Sequence, residues 1–250
     1  MARVRQLNPK PAVPTLGPVE LSQAILTEAR AAASPGECAA LDRLAGELRG
    51  IDPAAIKGDA ERIAFWINLY NALVLHCLCL NPLHGSLLRH LRLFDRIAYR
   101  VGEHEFPLNL IENGILRRNR RAPLRLRRPL RAGDPRLAAT PSTPDPRVHF
   151  ALNCAAASCP PIAVYDSRKL DSQLELATAA YLRNETVVEG KRVRLPRLMR
   201  IYHRDFGSRD EQLAFAARYV PALAAIAAER RRVRIRYGRF DWTVAPRPSR

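Results

Sequence analysis

Residues 59–80 read DAERIAFWINLYNALVLHCLCL and are followed by Asn81-Pro82, and the reading of this stretch decides the fold. Ile63 to Leu80 is close to the shortest apolar run that spans a bilayer. It nevertheless carries Asn68, Asn71 and His76, each of which is expensive in lipid. Apolar residues also fall on every face, which suits a helix enclosed by protein. The stretch is therefore expected to be the central buried helix of a globular fold, and no transmembrane segment is expected. Asn68 and Asn71 lie three apart and share a face. A buried amide needs partners, so the pair either holds an irregular loop by its backbone or bridges ordinary neighbouring elements.

Working outward, residues 1–17 are proline-rich and read as a loose N-terminal arm. Ser34-Pro35-Gly36-Glu37 has the form of a capping box opening a helix to about Arg49. Beyond the central helix, Arg96 to Pro107 (RIAYRVGEHEFP) reads as a hairpin turning at Gly102-Glu103, and Leu108 to Arg118 as a short helix. An arginine-rich insertion follows at about 117–146. Val148 to Leu152 has the length and composition of a buried strand. Leu170 to Arg183 is amphipathic, and Thr186 to Leu195 (TVVEGKRVRL) is a second hairpin. Leu198 to Phe206 is a short element ending at Gly207, and Asp210 to Arg231 a further helix. Val233 to Val244 (VRIRYGRFDWTV) reads as a last hairpin around Gly238. Helices come first and hairpins mixed with helices follow, which is the order of an α+β fold. The expectation is one domain over residues 18–246, its N-terminal helical layer packed on a small, mostly antiparallel sheet.

The chain has 250 residues and a net charge of +17, yet only Lys10, Lys57, Lys169 and Lys191 of its 41 basic residues are lysine. Arg117 to Arg136 carries nine arginines against one acid, Asp134. Electrostatics would draw such a segment to phosphate-rich surfaces, and Arg117, Arg118, Arg120 and Arg121 are the candidate polyanion contacts. No aromatics are interleaved, so base stacking is not expected, and a solvated insertion is the alternative. Five irregularly spaced cysteines do not make a secreted disulfide framework. Cys77 and Cys79 point in different directions on one helix. The N-terminus lacks an apolar signal core, which leads to an expected cytoplasmic location. No glycine-rich phosphate loop or dinucleotide fingerprint occurs, and no cofactor is expected.

The chemistry concentrates in Arg147 to Pro161, RVHFALNCAAASCPP, where His149 precedes Cys154 by five residues and Cys159 by ten. An imidazole beside a thiol can take its proton and leave a nucleophilic thiolate. Free cysteines are also commonly buried as small hydrophobes, which is the competing reading. The odd separation would place His149 and Cys154 on opposite faces of a strand, so the chain must turn at Asn153 for them to meet. Glu112, if buried, would orient His149 as the third member of a triad; otherwise it faces solvent. Cys154 and Cys159 are far enough apart to close a disulfide loop, although the spacing is not C-x-x-C. His149, Cys154, Cys159 and His203 offer zinc ligands at no standard spacing, and no metal is expected.

AFWINLYNALVLH (Ala64 to His76), FPLNLIENGILR (from Phe106), VHFALNCAAASCPP (Val148 to Pro161), YHRDFG (Tyr202 to Gly207) and FDWTV (Phe240 to Val244) give the chain a family likeness. It resembles the domain of unknown function 547 family, over about residues 60 to 245 and in the family's order. That family occurs in bacteria and plants, sometimes beside glutaredoxin-like or DEP modules, and carries no settled activity. The resemblance implies Asn68, Asn71, Glu112, His149 and Cys154 as the matching polar positions. It also implies that serine can stand at the position of Cys159, which favours Cys154 as the thiol that matters. Ala155 and Ala157 stand where glycine and a larger residue are common, and the arginine-rich insertion is a further departure. The resulting expectation is a cysteine-dependent hydrolase or acyl transferase. Cys154 would be nucleophile, His149 base and Glu112 orienting acid, supported by Asn68, Asn71, Asn153 and Cys159, with the asparagines as loop supports or oxyanion donors. The alternatives are a non-catalytic module whose basic surface binds an acidic partner, and a thiol redox protein using Cys154 and Cys159.

Overall fold

The computed structural model describes residues 4–32, 34–123, 125–228 and 233–245. The fold is mixed α+β, with two small three-stranded sheets. The stretch that decides it is helix α3, Asp59–Leu80, numbered after α1 (Pro18–Ala31) and α2 (Ala39–Glu47). Every residue of α3 from Ile63 to Cys79 is buried. Among the described residues it is the one helix long and apolar enough to cross a membrane, and the rest of the fold encloses it. Trp66 meets Phe65 edge-on at 5.0 Å and Phe106 at 4.6 Å, and its indole N–H donates to the Ala139 carbonyl at 3.3 Å. Val19, Leu21, Ile25, Leu26 and Ala29 form the apolar stripe of α1, which packs against α3.

The expected capping box at Ser34 does not form. The Glu37 N–H bonds to the Ser34 carbonyl at 3.0 Å, so Pro35–Glu37 close a 3-10 turn and α2 starts two residues later. The N-terminal arm is not loose where it is described, from Val4 onward. Arg5–Gln6 is strand β1, paired parallel to β2 (Ile97–Val101), and Leu7 and Asn8 are buried behind it. Asn8 donates to the carbonyls of Ala45 (2.7 Å) and Arg100 (2.9 Å) and accepts the Arg100 N–H (2.8 Å). Gly46 lets the arm approach α2, because a Cβ there would stand 2.6 Å from the Lys10 carbonyl oxygen.

Strands β2 and β3 (His104–Pro107) form the expected hairpin, with Gly102 supplying a φ of +55° at the turn. Strands β4 (Val187–Glu189) and β5 (Arg192–Leu195) form the second. The hairpins do not share a sheet, and each gains a parallel third strand. In the second sheet that strand is β6, Arg234–Tyr237, so the last expected hairpin is absent. Ile235 and Tyr237 turn inward beside Val193 and Leu195, while Thr243 and Val244 make single bridges to Ser86 and Ala156.

The expected strand at Val148–Leu152 does not form. Pro146–Phe150 is a 3-10 turn whose first N–H, that of Arg147, is taken by the Asp145 side chain at 2.8 Å. Asp-Pro is a cap followed by a first helical residue, and this local chemistry overrides the apolar run. The run is apolar because the turn lies between two hydrophobic clusters. Val148 and Ala151 join the larger one around α3, and Phe150 joins a smaller one. Helix α4 (Leu170–Glu185) feeds both, through Leu174 and Leu182. The smaller cluster is completed by α5 (Arg197–Ile201), α6 (His203–Phe206), α7 (Arg209–Ala217) and α8 (Pro221–Ala228). The single helix expected over 210–231 is thus split at Pro221, which has no N–H to continue it; its last residues, 229–231, lie outside the described residues. So do residues 1–3 of the arm and residue 246, the expected domain end.

Candidate functional site

The loop after the 3-10 turn is shaped by asparagines. Asn71 on α3 donates to the Ala151 carbonyl (3.0 Å) and accepts the Asn153 N–H (2.9 Å), which fixes the exit of the turn. Asn153 accepts the Ala155 N–H at 2.6 Å and donates to the Pro160 carbonyl at 2.7 Å, so one side chain ties both ends of the loop. Ala155 is left-handed, with φ +72°. The chain therefore turns after Asn153, although no hydrogen bond brings either thiol to His149 among the described residues. The 241–245 segment braces the loop from outside: the Ala157 N–H donates to the Thr243 carbonyl, and the Ala245 N–H to the Ala155 carbonyl, both at 2.8 Å.

This bend places the Cys154 and Cys159 sulfurs 2.9 Å apart, both as free thiols. The Cys154 N–H also points at the Cys159 sulfur, 3.2 Å away. Solvent reaches part of each residue, while protein fills most of the space around each sulfur. The thiol of Cys154, donating to its neighbour, is pushed well above its ordinary pKa, and desolvation adds to this. Cys159 is lowered, because it receives that thiol and the Cys154 N–H, against the cost of burial. The Cys154 N–H aimed at the Cys159 sulfur favours negative charge on Cys159, although the family likeness points to Cys154.

Beside the thiols lies a buried polar network. His149 is stacked on Tyr202 at 3.8 Å, and its Nε2 lies 2.7 Å from Asp205 Oδ2. Asp205 also takes Arg117 through both carboxylate oxygens and Arg120 at 2.6 Å. Burial would raise the Asp205 pKa, but the bonds from His149 and Arg117 outweigh it and hold the group well below the usual carboxylate range. Burial lowers His149, partly offset by Asp205, so the ring is neutral near pH 7. An ionised Asp205 only accepts, so Nε2 donates and Nδ1 is the bare nitrogen.

Glu112 does not orient His149. It sits in a π-helical turn, Leu110–Leu116, and accepts from Tyr202 Oη at 2.5 Å and from Tyr70 Oη at 3.4 Å. The orienting acid is Asp205, which spacing did not reveal because it lies 56 residues from His149. Its only sequence signal was membership of the YHRDFG block. Glu112 and His149 meet at Tyr202: the ring stacks on His149, its hydroxyl bonds Glu112, and its pKa is raised by burial, by Glu112 and, to a lesser degree, by charge on Cys154. Among the described residues no hydrogen bond joins His149 to either cysteine.

Asn68 brackets Tyr165, donating to its carbonyl and accepting its N–H, both at 2.9 Å. Both helix asparagines thus hold backbone, and their amides are occupied rather than offered to an oxyanion. His203 is exposed with its ring toward the Arg200 carbonyl, so the zinc set considered above is not assembled. Of the four arginines named as polyanion contacts, Arg118 and Arg121 are exposed, Arg120 is half-buried and Arg117 is buried. Arg117 is only 2% exposed, Arg118 bonds the Ser142 carbonyl, and Arg120 is committed to Asp205. A second sulfur pair has no local sequence signal: Cys38 and Cys79 lie 2.7 Å apart in the core. A cleft of 510 Å³ lined by Asp59, Arg147 and Lys169, and another of 360 Å³ lined by Arg49, His104 and Arg136, lie away from the thiols.

A family model described as "Protein of unknown function, DUF547" matches residues 54–182, just over half of the chain. The matched span holds Asn68, Asn71, Glu112, His149 and both loop cysteines, and stops short of Tyr202 and Asp205. No curated protein and no solved structure matches the chain.

Proposed function

We propose that this chain, which belongs to the DUF547 family, is a thiol–disulfide exchange protein whose working group is the Cys154/Cys159 pair. The observation that carries the reading is the 2.9 Å approach of two free sulfurs, on residues that solvent partly reaches, in a braced loop. The Cys159 thiolate attacks one sulfur of a substrate disulfide, forming a mixed disulfide and releasing the other sulfur as a thiolate. Cys154 then gives up its proton and attacks the Cys159 sulfur. The Cys154–Cys159 disulfide forms, and the second substrate sulfur leaves and takes the proton. Two electrons pass from the protein dithiol to the substrate disulfide. A relative with serine at the Cys159 position would lack this step, so the proposal concerns the present chain.

A second reading, a cysteine-dependent hydrolase or acyl transferase with Cys154 as nucleophile, is favoured by the buried His149–Asp205 pair and its bare Nδ1. The two readings separate on Cys159. With dithiothreitol as reductant and a small aromatic disulfide as substrate, C154S and C159S should each lower turnover at least a hundredfold. Under the hydrolase reading C159S keeps activity on an activated ester, whereas D205N and C154S lose it. Disulfide turnover unaffected by C159S would remove the dithiol proposal.

A further inference from the structure

The segment Leu87–Asp95, LLRHLRLFD, is a 3-10 helix. With three residues per turn its side chains stack in columns. Leu87 and Leu93 face inward, the first buried and the second packed on the larger cluster. Leu88 and Leu91 form the next column and stand in solvent, 52% and 48% exposed. Arg89 and Arg92 form the column beside them, also exposed.

The arginine-rich loop docks at the end of this helix, because Arg125 reaches Asp95 at 2.5 Å. Asp95 is further occupied by the Asn109 amide at 2.7 Å. The docked loop presents Leu126, 86% exposed, with Arg127 and Arg128 next to it. Large exposed apolar side chains among the described residues are Val13, Leu16, Leu88, Leu91, Leu126 and Leu176, and half of them lie here. No carboxylate pairs with Arg89, Arg92, Arg127 or Arg128 among the described residues. Asp95, at the end of the helix, is paired with Arg125.

We propose that this face docks on an anionic lipid bilayer, with Leu88, Leu91 and Leu126 entering the headgroup–acyl boundary and the flanking guanidiniums meeting lipid phosphates. Apolar side chains ringed by unpaired cations suit such an interface, where burial and charge act together. A nucleic acid would use the cations but leave the leucines in water, and among the described residues every aromatic side chain is buried or half-buried, so none stands out to stack on bases. The proposal does not depend on the chemistry of the thiols.

The test is flotation of the full chain with vesicles of phosphatidylglycerol and phosphatidylcholine, against phosphatidylcholine alone and a duplex DNA oligonucleotide. The expected result is binding to the anionic vesicles that weakens with salt, and little to the neutral ones. L88E/L91E should reduce vesicle binding at least tenfold, and so should R89Q/R92Q. Leu126→Ser, in a loop, gives an independent reduction without touching the helix. Unchanged circular dichroism and melting temperature would show that the variants fold. Absence of binding to anionic vesicles at low salt would overturn the proposal. So would binding indifferent to all three leucines, or DNA binding that is tighter than vesicle binding.

Discussion

Ala155 shows most plainly how one residue sets the site. The bend that brings the two sulfurs together needs a left-handed conformation there, and a β-carbon at φ +72° costs roughly 1–2 kcal/mol. Glycine, common at this position in the resembled family, adopts that conformation freely but loses more entropy on folding. A155G should therefore stabilise the protein by up to about 1 kcal/mol, read from the urea midpoint. Destabilisation by more than that would mean the loop does not bend as described. The same scale separates what was legible from what was not. Asn71, His149 and Cys154 stand in compact motifs, and a helix face or short spacing tied them together. Asp205 and the Cys38–Cys79 contact rest on separations of 56 and 41 residues, which no local pattern encodes.

At the scale of elements, long periodic stretches were readable and short ones were not. Helix α3 has the predicted limits, Asp59–Leu80, because Gly58 and Asn81-Pro82 bound a run apolar on all faces. The turn Pro146–Phe150 has the pattern of a strand, since packing between two clusters makes a turn as apolar as a strand. Strand β1 is two residues long and is held by a side chain rather than by its own pattern. Asn8 is that side chain, and it carries a prediction. Asn8→Ala leaves the Ala45 carbonyl and both Arg100 backbone groups without this partner, at roughly 1–3 kcal/mol for each one that water does not reach. A clear loss of stability is expected by chemical denaturation. An unchanged midpoint would restore the loose arm.

Across the whole molecule, two buried imidazoles set the response to acid. Burial depresses both His149 and His76 below their ordinary pKa, and Asp205 is held low by its partners. The unfolded chain binds protons on those histidines from about pH 6.5 downward, while the folded chain binds them only at lower pH. Stability is therefore full above that pH and declines as pH falls through the window below it, by at most about 1.4 kcal/mol per pH unit for each histidine. Asp205 contributes stability above the ordinary carboxylate pKa, near 3.9, and loses it in stronger acid. H149Q should flatten part of the decline between pH 7 and 5, leaving the part due to His76. A wild type as stable at pH 5 as at pH 7 would contradict the buried, neutral imidazoles. The central claim, that Cys154 and Cys159 act as one dithiol, is tested most directly by equilibrating the protein across ratios of reduced to oxidised dithiothreitol. Free thiols are then alkylated and the peptides mapped by mass spectrometry. The expected result is one reversible two-electron transition in which Cys154 and Cys159 lose alkylation together and appear joined by a disulfide. Alkylation of both residues at every ratio, or pairing of either with a different cysteine, would contradict it.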